Sequence, residues 1–255
     1  MHYPLAIFYT PLPQGSIHEL RVWRCAFDAA LAPWLAERQQ EHVRRFGRTT
    51  YDPKAAGQEL AKAALSRLIA RAQLITAAAP LRAGATQFQI GMDNRGRPQL
   101  DGWRVAFSHS GQAAFCALAP AGKDSPALGL DAEALTSPPP HASAFAAHEL
   151  AAPPALPQSV IDREALRRWT IKEAMLKTAG LGLGMQPAHI PTGRFGQRAG
   201  LWQGPLGPLG WRSLACPGHW LCVALAGHIP PVQIPLLRQS PHNLLRRLTD
   251  LPPQP

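Results

Sequence analysis

Three short segments hold residue types that could do chemistry together. Phe107-Ser108-His109-Ser110-Gly111 sets two hydroxyls, an imidazole and a glycine backbone within five positions. A strand running into such a bend offers O–H, ring and backbone N–H groups suited to a phosphate. An ordinary polar hairpin reads the same way. Gly129-Leu130-Asp131-Ala132-Glu133 ends an apolar stretch in two carboxylates. Strand residues two apart share a face, so Asp131 and Glu133 stand side by side. Paired carboxylates repel unless a cation or proton lies between them. Hard oxygen donors, with water and phosphate to complete the shell, suit Mg2+. A solvated strand end would need neither. Trp169 to Leu183 reads Trp-Thr-Ile-Lys-Glu-Ala-Met-Leu-Lys-Thr-Ala-Gly-Leu-Gly-Leu. On a helix Glu173 and Lys177 share a face. They make either a surface ion pair or a metal-binding or basic carboxylate, with an ammonium one turn away to hold a phosphate.

These residues need elements to carry them. Trp103 to Ser108 and Ala113 to Ala119 read as strands joined at His109-Ser110-Gly111. Ala127 to Leu130 is a further short strand that delivers Asp131. The helix bearing Glu173 starts near Ser159 or Asp162 and stops at Gly180. Upstream, Leu5 to Tyr9 reads as a strand, Val22 to Phe27 as a second, and Trp34 to Phe46 as a charged helix. Pro53 opens a long Ala-rich helix over Lys54 to Leu74. Thr86 to Ile90 alternates like a strand, and 93–98 is a turn. After Gly- and Pro-rich turns come strands at Trp211 to Ala215 and Trp220 to Ala226. The end, 229–255, is broken by prolines around one amphipathic piece, Asn243 to Leu248.

The two halves read alike, each with a long helix, then strands, then a near-matching apolar strand: Phe115 to Ala119 and Leu221 to Ala226. This pattern fits a duplicated α+β unit. The expected organisation is an N-terminal lobe over 1–122, a C-terminal lobe over 123–228 carrying the carboxylates, and a Pro-rich tail over 229–255. At 255 residues and 46% apolar composition, the chain can bury a core without disulfides. Its four cysteines lack metal-knuckle spacing, and Cys116 and Cys222 lie in apolar runs, so they read as core thiols. No run approaches a membrane span, and the start lacks signal-peptide character. The expectation is a soluble, cytoplasmic protein. The net charge of +10 favours anionic partners without choosing among them.

In this order and spacing the segments resemble the 4'-phosphopantetheinyl transferases, specifically the larger monomeric kind that activates surfactin-type peptide synthetases. The resemblance rests on Gly96-Arg97-Pro98, Ser108 to Gly111, Gly129 to Glu133 and Trp169 to Leu183. It covers roughly residues 1 to 228. It implies an α+β fold of two similar lobes related by pseudo-twofold symmetry, with coenzyme A bound between them. The implied reaction is Mg2+-dependent transfer of phosphopantetheine from coenzyme A to a serine of an apo acyl or peptidyl carrier protein, releasing 3',5'-ADP. Asp131, Glu133 and Glu173 are the implied metal ligands, with Glu173 also the base. Lys177 steadies the phosphate and protonates the leaving group. Ser108, His109 and Arg97 contact coenzyme A phosphates, with His109 near the chemistry and Arg97 where a lysine is usual. An Asn commonly precedes the Ser-His pair by two residues, and here Ala106 stands there. Basic residues for the nucleotide end come from Arg38, His42, Arg44, Arg45 and Lys54, with Lys54 the best match.

A basic nucleic-acid-binding module is the rival reading. It explains the charge but not three acidic residues that would repel phosphate without a metal, and no nucleic-acid motif is present. The expectation is no nucleic-acid partner and no membrane.

Overall fold

The computed structural model describes residues 5–45, 55–81, 88–94, 96–121, 125–150, 156–181, 184–205 and 207–252. The fold is mixed α+β. The chain divides into two compact units, Met1–Gly122 with Pro235–Pro255, and Lys123–Ile234.

The first unit begins with strand β1 (Ala6–Pro11) and helices α1 (Ile17–Leu31), α2 (Glu37–Arg45) and α3 (Ala55–Ala78). Two short strands follow, β2 (Gly91–Met92) and β3 (Pro98–Gln99), then the hairpin β4 (Trp103–Ser110) and β5 (Ala113–Pro120). Gly111 turns the hairpin with φ +59°, a conformation that costs glycine little. Val22 to Phe27, expected as a strand, lies inside α1. Ser16 accepts the Glu19 N–H while the Glu19 carboxylate accepts the Ser16 N–H, a reciprocal cap that starts a helix there. Leu20, Phe27 and Leu31 then recur at helical spacing and are buried. Helix α3 packs over the sheet, and Gln73 Nε2 donates to Thr10 Oγ1 at 2.8 Å. The strand expected over Thr86 to Ile90 falls partly outside the described residues, which resume at 88. Within it, Ile90 makes an isolated bridge to Leu35.

The second unit holds β6 (Leu128–Ala134), the short helix α4 (Ala147–Leu150), α5 (Gln158–Ala179) and strands β7 (Ala199–Gly204), β8 (Gly207–Cys216) and β9 (His219–Ala226). The strands form one antiparallel sheet in the order β6-β9-β8-β7. Ile171, Ala174 and Met175 of α5 share a core with Trp211, Cys222 and Ala224. Helix α5 starts directly after Pro157, whose φ of −59° suits a helix entry, and earlier than Ser159 or Asp162. It ends at Gly180 with φ +66°. Strand β7 occupies a stretch whose glycines read as turns. At Gly200 the Trp211 indole lies against the backbone, so the apolar surface there belongs to a neighbouring strand.

The Pro-rich end is not a separate tail. From Pro235 the chain joins the first unit. Strand β10 (Leu236–Arg238) pairs parallel with β1, completing the order β10-β1-β5-β4. Helix α6 (Pro241–Thr249) inserts Leu244 and Leu248 into the core, each almost fully buried, and Arg247 Nη2 donates to Thr76 O at 3.0 Å. Each unit thus lays a long helix on a four-stranded sheet. One sheet carries a parallel pair, and the other is wholly antiparallel. Among the described residues no helix is long and apolar enough to cross a membrane.

Removing a buried leucine leaves a cavity, so Leu244→Ala should cost about 2–5 kcal/mol. The check is the urea unfolding midpoint. An unchanged midpoint would mean that α6 is not part of the core.

Candidate active site

The candidate site lies in the second unit, where α5 crosses β6. Gly129 decides how close the two elements come. A methyl group at 129 would run into Thr178 Oγ1 and Ala174 O, and would sit 2.8 Å from Thr178 N. The helix backbone therefore rests directly on the strand. Two residues along, on the same face of β6, stands Asp131. Lys177 reaches it from α5: its Nζ lies 2.6 Å from Asp131 Oδ1 and 3.3 Å from Leu130 O. Asp131 is buried and Lys177 is partly open to solvent. One helical turn before Lys177 comes Glu173. Burial pushes its carboxyl above the ordinary value of 4.5, the Asp131 charge pushes it further, and Lys177 opposes both.

Asp131, Glu173 and Lys177 are thus brought together. Glu133 is half-buried on the same face of β6, opposite Trp220 of β9, whose ring carries the Arg198 guanidinium at 4.5 Å. Among the described residues no group of three His, Cys, Asp or Glu side chains is drawn together as a ready metal cluster. What is present is a pair of acids in mutual repulsion beside one ammonium. That donor set fits Mg2+, which commonly takes only one or two carboxylates and fills its shell with water and phosphate oxygens.

The first-unit residues do not converge on one point of their sheet. Ser108 is buried and His109 is exposed. As neighbours on β4 they leave opposite faces of the sheet, and His109 shares its side with Phe107. Arg97 is folded onto its own turn, with Nε 2.7 Å from Asp93 Oδ2 and its N–H on Asp93 Oδ1. Lys54 lies outside the described residues, as do the side chains of Arg44 and Arg45. His42 is no cation at neutral pH: burial, then Arg71 and Arg67, bring its pKa to about 4. Arg71 itself is buried and donates to Gln39 Oε1 and Arg67 O. Cys116 and Cys222 are fully buried, which raises both thiols and leaves them inert.

Lys172 and Glu149 carry no role in the sequence reading. Both side chains are fully buried, and they pair at 2.7 Å on the flank of α5. Burial pushes the Glu149 carboxyl up. Hydrogen bonds from Lys172, Thr192 and the Ala146 N–H outweigh it and hold the group below its ordinary value. The hint in the sequence is a lysine placed among the apolar positions of α5. Nothing in the Pro- and Ala-rich connection points to its partner.

Residues 127–216 match the family model of the 4'-phosphopantetheinyl transferase superfamily. This segment lies within the second unit and contains Gly129, Asp131, Glu133, Lys172, Glu173 and Lys177. No curated protein matches the chain.

Gly129→Ala should push α5 off β6 and destabilise the protein by about 1–3 kcal/mol. Gly91→Ala is the control, since a methyl there meets nothing within 4 Å. Denaturant unfolding compares the two. Equal, small effects would mean that the close approach at Gly129 is not needed.

Proposed function

We propose that the protein transfers the 4'-phosphopantetheine moiety of coenzyme A to a serine of an apo acyl or peptidyl carrier protein. The observation that carries this reading is the Asp131, Glu173 and Lys177 grouping inside the segment matched to the transferase superfamily. In the reaction, the serine oxygen forms a bond to the β-phosphorus of coenzyme A. The bond from that phosphorus to the pyrophosphate bridging oxygen breaks, and 3',5'-ADP leaves.

Glu173 takes the proton of the serine hydroxyl. Burial and the Asp131 charge raise this carboxyl while no ion is bound, and the group must be ionised to accept the proton. Lys177 leaves Asp131 for the pyrophosphate, where its ammonium meets the charge gathering on the departing oxygen. Its partial exposure allows that movement without breaking a packed core. Asp131 and Glu173 would hold Mg2+, with Glu133 two residues along the strand as the further ligand. When bound, the ion supplies positive charge that screens the pyrophosphate and relieves the repulsion between the carboxylates. Ser108, His109, Arg97 and Lys54 serve as coenzyme A phosphate contacts in the same reading, and Arg97 must first release Asp93.

The charge distribution supports an acidic protein partner. The first unit holds seventeen Lys and Arg against nine Asp and Glu, whereas the second holds nine against seven. Opposite charge would speed encounter with an acidic carrier, and salt would weaken that effect.

Glu173→Gln and Asp131→Ala should each lower transfer by at least about a hundredfold while the proteins stay folded. The readout is the mass gain of apo carriers incubated with coenzyme A and Mg2+. The wild-type rate should also fall as pH drops through the Glu173 pKa, because the base must be ionised to accept a proton. Undiminished transfer by either variant would reject the assigned roles.

A further inference from the structure

We infer that Lys172 and Glu149 form a buried clamp that sets the orientation of α5 and so positions Glu173 and Lys177 for transfer. This inference rests on the function proposed above. Lys172 precedes Glu173 in the chain, about 100° around the helix. Glu173 turns toward Asp131, while Lys172 turns into the segment that follows the helix. Its Nζ has three acceptors, one on α4 and two in that segment: Glu149 Oε2 at 2.7 Å, Pro187 O at 2.8 Å and Ile190 O at 2.6 Å. An ammonium has three donors, so this one is fully used.

Glu149 is held as completely. Its Oε1 accepts from Thr192 Oγ1 at 2.6 Å and Thr192 N at 3.1 Å. Its Oε2 also accepts from Ala146 N at 3.0 Å. Arg168, one turn before Lys172, donates to Thr192 Oγ1 at 3.3 Å and to Glu164 Oε1 at 2.9 Å. The network therefore ties α5 to α4 on one side and to residues 187–192 on the other.

A buried ion pair is poor evidence of stabilisation, because well-packed apolar residues of the same size often do as well. What it supplies is direction. A lysine bonded to three fixed oxygens permits one rotation of the helix about its axis, whereas an apolar contact tolerates several. Opposite this clamp, the backbone contact at Gly129 fixes the distance of the helix from β6. The two constraints together fix the stretch of helix backbone from which Glu173 and Lys177 extend.

Two variants test this. Lys172→Met combined with Glu149→Leu removes both charges together, and Arg168, which also pairs with Glu149 at 3.7 Å, keeps Glu164 at 2.9 Å. Lys172→Arg keeps the charge but offers a planar fork to acceptors arranged for an ammonium. Both should fold. A shift of reacting groups by ~1 Å can cost about a hundredfold, so kcat for carrier modification should fall by about ten- to a hundredfold in each. The KM for coenzyme A should stay within about threefold, since binding contacts are untouched. Amide hydrogen exchange at Ile190 and Thr192 should be at least about tenfold faster in the double variant.

A double variant with wild-type kcat overturns the inference. So does failure of both variants to fold, because the network would then serve folding alone. If the wild type transfers nothing to any carrier, the functional reading fails. The clamp is then judged by exchange, and unchanged exchange at Ile190 and Thr192 overturns it.

Discussion

Helix α5 lies so close over β6 that residue 129 has no room for a side chain. The rest of the candidate site follows from that contact. With a methyl at 129 the helix would have to stand off, and the 2.6 Å contact of Lys177 with Asp131 is made at the present close approach. At the observed separation, two carboxyl groups and an ammonium share a small, half-buried space. Burial makes each charge depend on its neighbours more strongly than it would in water. Burial raises the Glu173 carboxyl most, repulsion from Asp131 adds to it, and attraction to Lys177 opposes both.

The arrangement is one of competition. Lys177 neutralises Asp131 as the protein stands, yet an anionic pyrophosphate would draw the same ammonium away. A divalent cation would take over the acids once the lysine has left. In the proposed reaction the site would exchange one set of compensating charges for another, and neither carboxylate need be stranded. On the far flank of α5, Lys172 and Glu149 are in a different condition. They are buried beyond solvent, each is fully hydrogen-bonded, and neither can exchange partners without opening the fold. One helix therefore carries a partly exposed charge on one side and a fully buried pair on the other.

Some of this is readable in the sequence, and the rest is hidden for identifiable reasons. Alternation and a glycine bend are enough to place β4 and β5, because hairpin geometry is local. The period of two puts Asp131 and Glu133 on one face, and the period of 3.6 pairs Glu173 with Lys177. Val22 to Phe27 reads as a strand but folds as a helix, because so short an apolar-rich stretch fits either period. The deciding signal is the cap at Ser16 and Glu19. Strand β7 is hidden because glycine occupies a position that a neighbouring tryptophan fills. The end of the chain looks like a tail because prolines interrupt it, yet Leu244 and Leu248 are spaced to bury one helical face. The hydrogen bonds of Lys172 to Glu149, Pro187 and Ile190 span segments far apart in sequence, where no local pattern records them. Likewise nothing local shows that His42 is neutral, since it is lowered by burial and then by Arg71 and Arg67 of another helix.

In the proposed reaction Asp131 and Glu173 act as a pair that shares one divalent ion. Electron paramagnetic resonance of Mn2+ in the presence of coenzyme A measures this directly, with Asp131→Asn and Glu173→Gln as comparisons. One tightly bound ion is expected per wild-type chain, and its loss in both variants. Binding of equal strength in the wild type and both variants would contradict it.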